Sequence, residues 1–206
     1  MSKYLWILIT VGLVGSVFFG NFLTAAKNRL AAVISLAPFE KPQTITQNGR
    51  QVVVAKIYST FPYNYRNLIS LNAGLTSGVK SGTPVTVDGN ILLGKVIETA
   101  TDYSVVQTIF DKDFSLSVRV GSRQIEALLV GAQEPRLTLI DKTADIREND
   151  AIYSASADFP YGMKIGSVTG IRDSAASSFK EASLRLDYQF NELKDVALLS
   201  DWHEKK

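Results

Sequence analysis

Three hydrophobic patterns succeed one another along this 206-residue chain. From Tyr4 to Ala26 there are 23 consecutive residues without a charge, rich in Leu, Ile, Val, Phe and Trp. A bilayer core takes about 20 such residues of helix, so the pattern predicts a transmembrane helix over 4–26 after a short tail at 1–3. Tyr4 and Trp6 sit at one end, where amphipathic rings favour the headgroup zone, and Lys27 and Arg29 close the other. The apolar region of a secretory leader runs about 7 to 15 residues; this longer run reads as an anchor. Basic residues flank both ends, so charge alone does not orient it.

The second pattern is helical. Ala26, Leu30, Val33 and Ala37 share one stripe, which predicts a juxtamembrane helix over 27–37 that Pro38 and Pro42 bring to an end. The segment 38–51, with those two prolines, several Gln and Thr residues and Asn48-Gly49, reads as a linker. Its 12 residues from Phe39 to Arg50 reach at most about 43 Å when extended, so the body beyond them stays near the membrane.

The third pattern has period two. Short runs rich in Val, Ile, Leu and Thr recur between turn residues: 52–58, 67–71, 84–87, 91–98, 104–110, 115–120, 125–130, 136–140, 151–154, 164–171, 182–188 and 196–199. Leu116, Val118 and Val120 alternate with Ser117 and Arg119, and Leu184, Leu186 and Tyr188 alternate with Arg185 and Asp187, so one face of each strand is buried. Asp88-Gly89 between two such runs is a strong hairpin signal, because a tight primed turn needs positive φ at both central positions. Val79, Lys80, Gly82, Val85, Gly94 and Val96 find counterparts in Ile146, Arg147, Asn149, Ile152, Gly166 and Val168, a faint internal repeat. The expected fold is therefore all-β: two small β-barrel domains, 52–131 and 132–200, divided near Gly131–Pro135, with segments free to interleave and a tail at 201–206.

Charge and composition narrow the function. The chain carries 22 Lys and Arg against 20 Asp and Glu, too balanced for the basic face a nucleic-acid binder needs. It has no cysteine, hence no disulfide, thiolate nucleophile or Cys metal site. The one histidine, His203, lies in the tail, which argues against a zinc centre or a Ser-His-Asp triad. Ser77-Gly78-Val79-Lys80 matches S-x-x-K, but Gly74, Gly78, Gly82 and Pro84 make the stretch a turn rather than the start of a helix under a cleft. Asp111-Lys112-Asp113 opens like a calcium loop, yet Leu116 and Ser122 stand where Gly and Glu are required, so the two aspartates read as turn residues. No cofactor is implied. Two aromatic clusters remain as candidate partner-binding residues: Phe61, Tyr63, Tyr65 and Arg66, and then Phe159 and Tyr161. Tyr and Arg enrich binding hot spots, while the same rings could equally fill a core.

Several phrases taken together resemble the MreC family. They are Val53 to Ile57, Asn67 to Gly74, Gly78 to Val85, Leu93 to Glu98, Ser115 to Val120 and Tyr161 to Val168, in the family's order from about Val52 to Leu199. The resemblance implies a rod shape-determining protein of the bacterial cytoplasmic (inner) membrane, single-pass, with the bulk of the chain periplasmic and two β-barrels outside. It implies a non-enzymatic scaffold of the cell-wall elongation machinery. The implied partners are MreD, RodA, the class B penicillin-binding protein and, across the membrane, MreB, with possible self-association. The family's usual coiled coil would here be shortened to 27–36. Two other readings stay open: a periplasmic adaptor of an export assembly, and a membrane-tethered Ser-Lys hydrolase.

Overall fold

Period-two sequence becomes strand with few exceptions. A computed structural model describes residues 41–47, 49–59, 67–173 and 177–202. The expected tail at 1–3, anchor at 4–26, juxtamembrane helix at 27–37 and His203 lie outside them, and no helix among the described residues is long and apolar enough to cross a membrane. The strands are β1 Gln43–Gln47, β2 Arg50–Ser59, β3 Leu68–Leu71, β4 Pro84–Val87, β5 Ile91–Thr99, β6 Ser104–Thr108 and β7 Ser115–Val120. They continue as β8 Ile125–Val130, β9 Arg136–Asp141, β10 Ala151–Ser154, β11 Lys164–Arg172, β12 Phe179–Arg185 and β13 Asp195–Leu198, with single 3-10 turns at Leu75–Ser77 and Phe190–Glu192.

Hydrogen bonding runs β10-β7-β8-β9-β12-β11 and then from β11 back to β10, closing a six-stranded barrel. The remaining path is β5-β4-β13-β2-β3-β6, and β6 returns to β5 as a second ring. Closure hides strand edges that would otherwise invite foreign pairing. One parallel partnership, Lys164 with Ile91, joins β11 to β5 and so links the rings.

The path changes ring between β6 and β7, not near Gly131–Pro135. That turn joins β8 to β9, which pair with each other through Leu129 and Leu137 inside the barrel. The chain crosses back after β12, so strands near both ends of the described residues, β2 and β13, serve the second ring. This return also explains a departure from the expected alternation. Leu184 and Leu186 pack against the barrel core, whereas Tyr188, past the end of β12, packs with Phe190 against the core of the second ring. The two crossings meet where the Phe110 and Phe190 rings lie 4.5 Å apart, Phe110 touching both cores.

Each ring is filled from within. Leu116, Val118, Val120, Leu129, Leu137, Ile140, Ile152 and Ile165 fill the barrel; Ile69, Leu71, Val85, Leu93, Val106 and Leu198 fill the second ring. Full burial of one such side chain stabilises by roughly 1.5–3 kcal/mol, so these cores carry the fold.

The expected linker is shorter than its composition suggests. Residues 43–47 form β1, paired with β2 from Gln43 opposite Val54 to Gln47 opposite Arg50. Gly49, read as tether, lies in the turn between these two strands at φ 77. Gln-Thr-Ile-Thr-Gln lacks an apolar face, and so it gave no strand signal.

The internal repeat has a structural counterpart at the level of single hydrogen bonds. Gly82 N–H donates to the Val96 carbonyl at 2.8 Å, and Asn149 N–H donates to the Val168 carbonyl at 2.9 Å. Val96 N–H returns to Thr83 O at 2.9 Å, as Val168 N–H returns to Asp150 O at 2.8 Å. The side chain after each glycine or asparagine position caps the same turn: Thr83 Oγ1 accepts from Lys80 N–H, and Asp150 Oδ2 from Arg147 N–H. Gly82 and Asn149 both have positive φ, 86 and 69. Val85 lies opposite Gly94 and Ile152 opposite Gly166, and each ladder shifts register one residue later.

Candidate partner-binding surface

Where the two repeat units diverge, a surface appears. Nine positions separate Val85 from Gly94 and fourteen separate Ile152 from Gly166, five more. In the first unit the chain reverses tightly through Asp88 and Gly89, both at positive φ as expected. In the second, the longer loop between β10 and β11 carries Phe159, Pro160, Tyr161 and Gly162.

This loop is fastened at its base. The buried Ser154 hydroxyl donates to the Pro160 carbonyl and accepts from Met163 N–H at 3.0 Å. Gly162 N–H donates to Ser154 O at 2.9 Å, with Gly162 at φ 75. Phe159 is 3% exposed and packs in the barrel core with its ring 6.0 Å from that of Phe114, so it is an internal anchor rather than a surface contact. Lys95 of β5 reaches across from the second ring, its Nζ 2.7 Å from Asp158 Oδ2 and 5.8 Å from the centre of the Phe159 ring. The half-exposed ion pair is worth little by itself; with the buried ring it fixes the loop from both rings.

Tyr161, held this way, is 73% exposed. It borders two open clefts. One, of about 590 Å³, includes Arg50, Phe159, Asp201 and Trp202. The other, of about 450 Å³, includes Gln47, Val52, Met163 and Leu199. Asp201 accepts from Gln51 N–H at 3.2 Å, which ties the end of the described chain to β2 and holds Trp202 beside the cleft. Val52, Ala197 and Leu199 form a small separate cluster beneath, with Met163 and Trp202 against it. An aromatic ring presented between one mainly apolar cleft and one of mixed lining, with an Arg and an Asp at the margin, has the makeup of a protein-contact patch.

Tyr161 was legible as a candidate. Arg50, Asp201 and Trp202 were not, since they come from sequence-distant segments that only the fold gathers; the five extra residues in the second unit were the signal available. Phe61, Tyr63, Tyr65 and Arg66 lie outside the described residues.

The patterns that suggested chemistry resolve into turns. Ser77 ends a 3-10 turn whose next residue, Gly78, is left-handed, and Lys80 N–H is engaged by Thr83. No hydrogen bond joins the Ser77 and Lys80 side chains among the described residues. Asp111 is buried, and its Oδ1 accepts from Asp113 N–H at 2.9 Å and Gln107 Nε2 at 3.1 Å, a local turn cap. Among the described residues no group of three or more His, Asp or Glu side chains could hold a metal ion. Asp145 is held below the usual carboxylate range by hydrogen bonds from Arg123 and then Arg147, and Asp141 by the Thr143 hydroxyl and N–H. Burial pushes the Tyr188 hydroxyl upward. These are structural pairings, far from Tyr161 in sequence and role.

The family model of "Rod shape-determining protein MreC, barrel core" matches residues 41–200. The chain belongs to the MreC family. Among solved structures, MreC from Pseudomonas aeruginosa is 26% identical at a TM-score of 0.62, over 71% of this chain and 97% of that one. MreC from Listeria monocytogenes is 15% identical at a TM-score of 0.66, over 99% of this chain and 97% of that one. A complex between penicillin-binding protein PBP2 and MreC, from Helicobacter pylori, is 17% identical at a TM-score of 0.57, over 73% of this chain and 98% of that one. No curated protein matches the chain.

Proposed function

We propose that this chain is a membrane-anchored, non-enzymatic scaffold of the cell-wall elongation machinery that binds a class B penicillin-binding protein through the face bearing Tyr161. The observation that carries the reading is the family match over 41–200, the whole of the β-body. The Helicobacter pylori relative in complex with PBP2 supports the choice of partner. In this reading the segment 4–26 anchors the chain in the cytoplasmic membrane, and the two closed rings act as two barrel domains in the periplasm. MreD, RodA and MreB complete the assembly, as family resemblance implies.

The mechanism is a bias between conformations of the transpeptidase. A scaffold shifts such an equilibrium only as far as it binds one state more tightly than the other. A loop fixed at its base by Ser154, Phe159 and Lys95 offers a contact that loses little freedom on binding, which favours such discrimination.

The test is co-purification of the full chain from detergent-solubilised membranes. Recovery of a class B penicillin-binding protein, reduced by Tyr161→Ala, is the expected result. Recovery of an export transporter in its place would favour the adaptor reading and sink this one.

A further inference from the structure

The corner at which the chain enters the β-body carries exposed apolar side chains. β1 and β13 both pair with β2 at Val53 and Val54, so they lie on opposite edges of it. Ile57 N–H turns toward β13, donating to Lys194 O at 2.8 Å. Lys56 turns the other way, onto the edge that β1 occupies: its N–H donates to Asn72 Oδ1 at 2.7 Å, and its carbonyl accepts from Asn72 N–H at 3.1 Å. β1 covers that edge only from Gln43, opposite Val54, onward. Asn72 thus fills the site where β1 would extend toward its N-terminal side, and the chain reaches Gln43 past the turn that Asn72 begins.

This turn is clasped to the β5–β6 hairpin. A Cβ on Gly74 would fall 2.4 Å from Ala100 O and 2.7 Å from both Thr101 O and Tyr103 N, so the two segments meet backbone to backbone. Leu75 N–H donates to Ala100 O at 2.9 Å and Thr76 N–H to Thr101 O at 3.0 Å, while Thr76 Oγ1 donates to Asp102 Oδ1 at 3.1 Å. Held by this clasp, Leu75 is 57% exposed and Tyr103 51% exposed. A rigid backbone that keeps a Leu and a Tyr in water gains nothing from them within the fold.

We propose that this corner is a membrane-contact apex: Leu75 and the Tyr103 ring enter the headgroup zone of the bilayer and dock the β-body on the lipid surface. The inference rests on the reading of 4–26 as an anchor and goes beyond the binding of a synthase. Chain length selects the occupant. Because β1 starts at Gln43, only 38–42 remain between the apolar stripe at 27–37 and the body, and five residues reach at most about 18 Å. So short a lead brings the corner of entry to the bilayer before other faces. Lipid also suits the residues: an aliphatic side chain and an amphipathic ring partition to the interface, and the exposed, polar Thr101 and Asp102 beside them fit contact at headgroup depth and no deeper. Two side chains hold a free domain to a bilayer weakly, but a tether makes the contact intramolecular.

Docking would also place the partner face. β1 runs from this corner to Gln47, which lines one of the clefts beside Tyr161. The strand spans roughly 13 Å. A body standing on Leu75 and Tyr103 holds Tyr161 off the lipid, at a set height from which to meet a membrane-bound synthase.

Because the chain has no cysteine, single introduced thiols can carry an environment-sensitive fluorophore. The full chain is labelled at Thr101→Cys, beside the apex, or at Tyr161→Cys, at the far end of β1. It is then reconstituted in vesicles of phosphatidylethanolamine and phosphatidylglycerol containing a lipid with a nitroxide quencher near its headgroup. Quenching at 101 is expected to exceed that at 161 by about fivefold. Leu75→Asp with Tyr103→Ser, added to Thr101→Cys, should lower it to the level at 161. Both substitutions replace exposed side chains, so an unchanged unfolding midpoint shows that the fold persists. Retention of the chain on the vesicles through an alkaline carbonate wash reports the anchor separately. Quenching at 101 no greater than at 161 in retained chains, or unmoved by the double substitution, overturns the proposal and leaves the anchor standing. A chain that washes away removes the anchor and the proposal with it. A fluorophore at 101 shielded from water yet unquenched by the nitroxide means that a protein covers the corner, which overturns the proposal as well.

Discussion

The unit β4–β5 and the unit β10–β11 share a frame and differ in their tips. Both have a capped entry turn with a positive-φ residue, a β-strand buried at Val85 or Ile152, a register shift and a glycine opposite the buried residue. The first closes through Asp88-Gly89; the second opens into a loop that holds Phe159 inward and Tyr161 outward. A repeated frame thus supplies rigidity, and an insertion of five residues in one copy supplies a surface. The proposed binding surface sits where the two copies stop agreeing.

If the frame is shared, damage to equivalent positions should be alike and severe. A Cβ on Gly94 would fall 2.1 Å from the Gln107 carbonyl, and one on Gly166 would fall 2.5 Å from the Arg185 carbonyl, both backbone atoms that cannot yield cheaply. Gly94→Ala and Gly166→Ala are expected to destabilise by about 3 kcal/mol or more, Gly94→Ala the worse, as read by denaturant unfolding. One mild variant beside one severe one would show that the glycines are not equivalent.

Next come the buried branched residues before each glycine. Leu93→Ala and Ile165→Ala remove fully buried side chains from separate cores and should each cost about 2–5 kcal/mol. Their costs should add, because the two sites line different rings. Strong non-additivity in the double variant would mean that the cores act as one.

The tips should then separate. Ser154→Ala leaves the Pro160 carbonyl and Met163 N–H only their long mutual bond of 3.4 Å and should cost about 1–3 kcal/mol. Val87, at the matching place in the first unit, has no such duty. Tyr161→Ala should change stability by less than about 0.5 kcal/mol, since the ring is exposed. A large stability loss there would make Tyr161 a packing residue.

The sequence held the frame more openly than the surface. Alternation at Leu116, Val118 and Val120 identified a half-buried strand, and Asp88-Gly89 identified a turn, because local physics decides both. β1 escaped notice because Thr and Gln on both faces carry no amphipathic signal; its strand state is imposed by pairing with β2. The division near Gly131–Pro135 failed for a related reason. A turn between two strands looks the same whether they share a ring or not, and ring membership depends on β13 returning to β2 and β4 across the length of the chain. Phe159 and Tyr161, two residues apart, were indistinguishable as aromatic neighbours; the Ser154 clasp sends one ring in and the other out.

The smallest effect concerns acid. Asp145 and Asp141 are held below the ordinary aspartate value of 3.8 by partners present only in the folded chain. A depressed carboxylate contributes stability above that value and loses it as pH falls below it. Unfolding midpoints should therefore decline below about pH 4, and less steeply in Asp145→Asn than in the parent. A change confined to neutral pH would contradict this assignment.

The central claim is that the inserted tip, not the shared frame, meets the partner. Its most direct measure is the dissociation constant for the periplasmic portion of a class B penicillin-binding protein, comparing Tyr161→Ala with Leu75→Ala, another exposed apolar side chain, in the first repeat's approach. The account expects Tyr161→Ala to weaken binding by about tenfold or more and Leu75→Ala to leave it unchanged. Equal affinities for the two variants would contradict it.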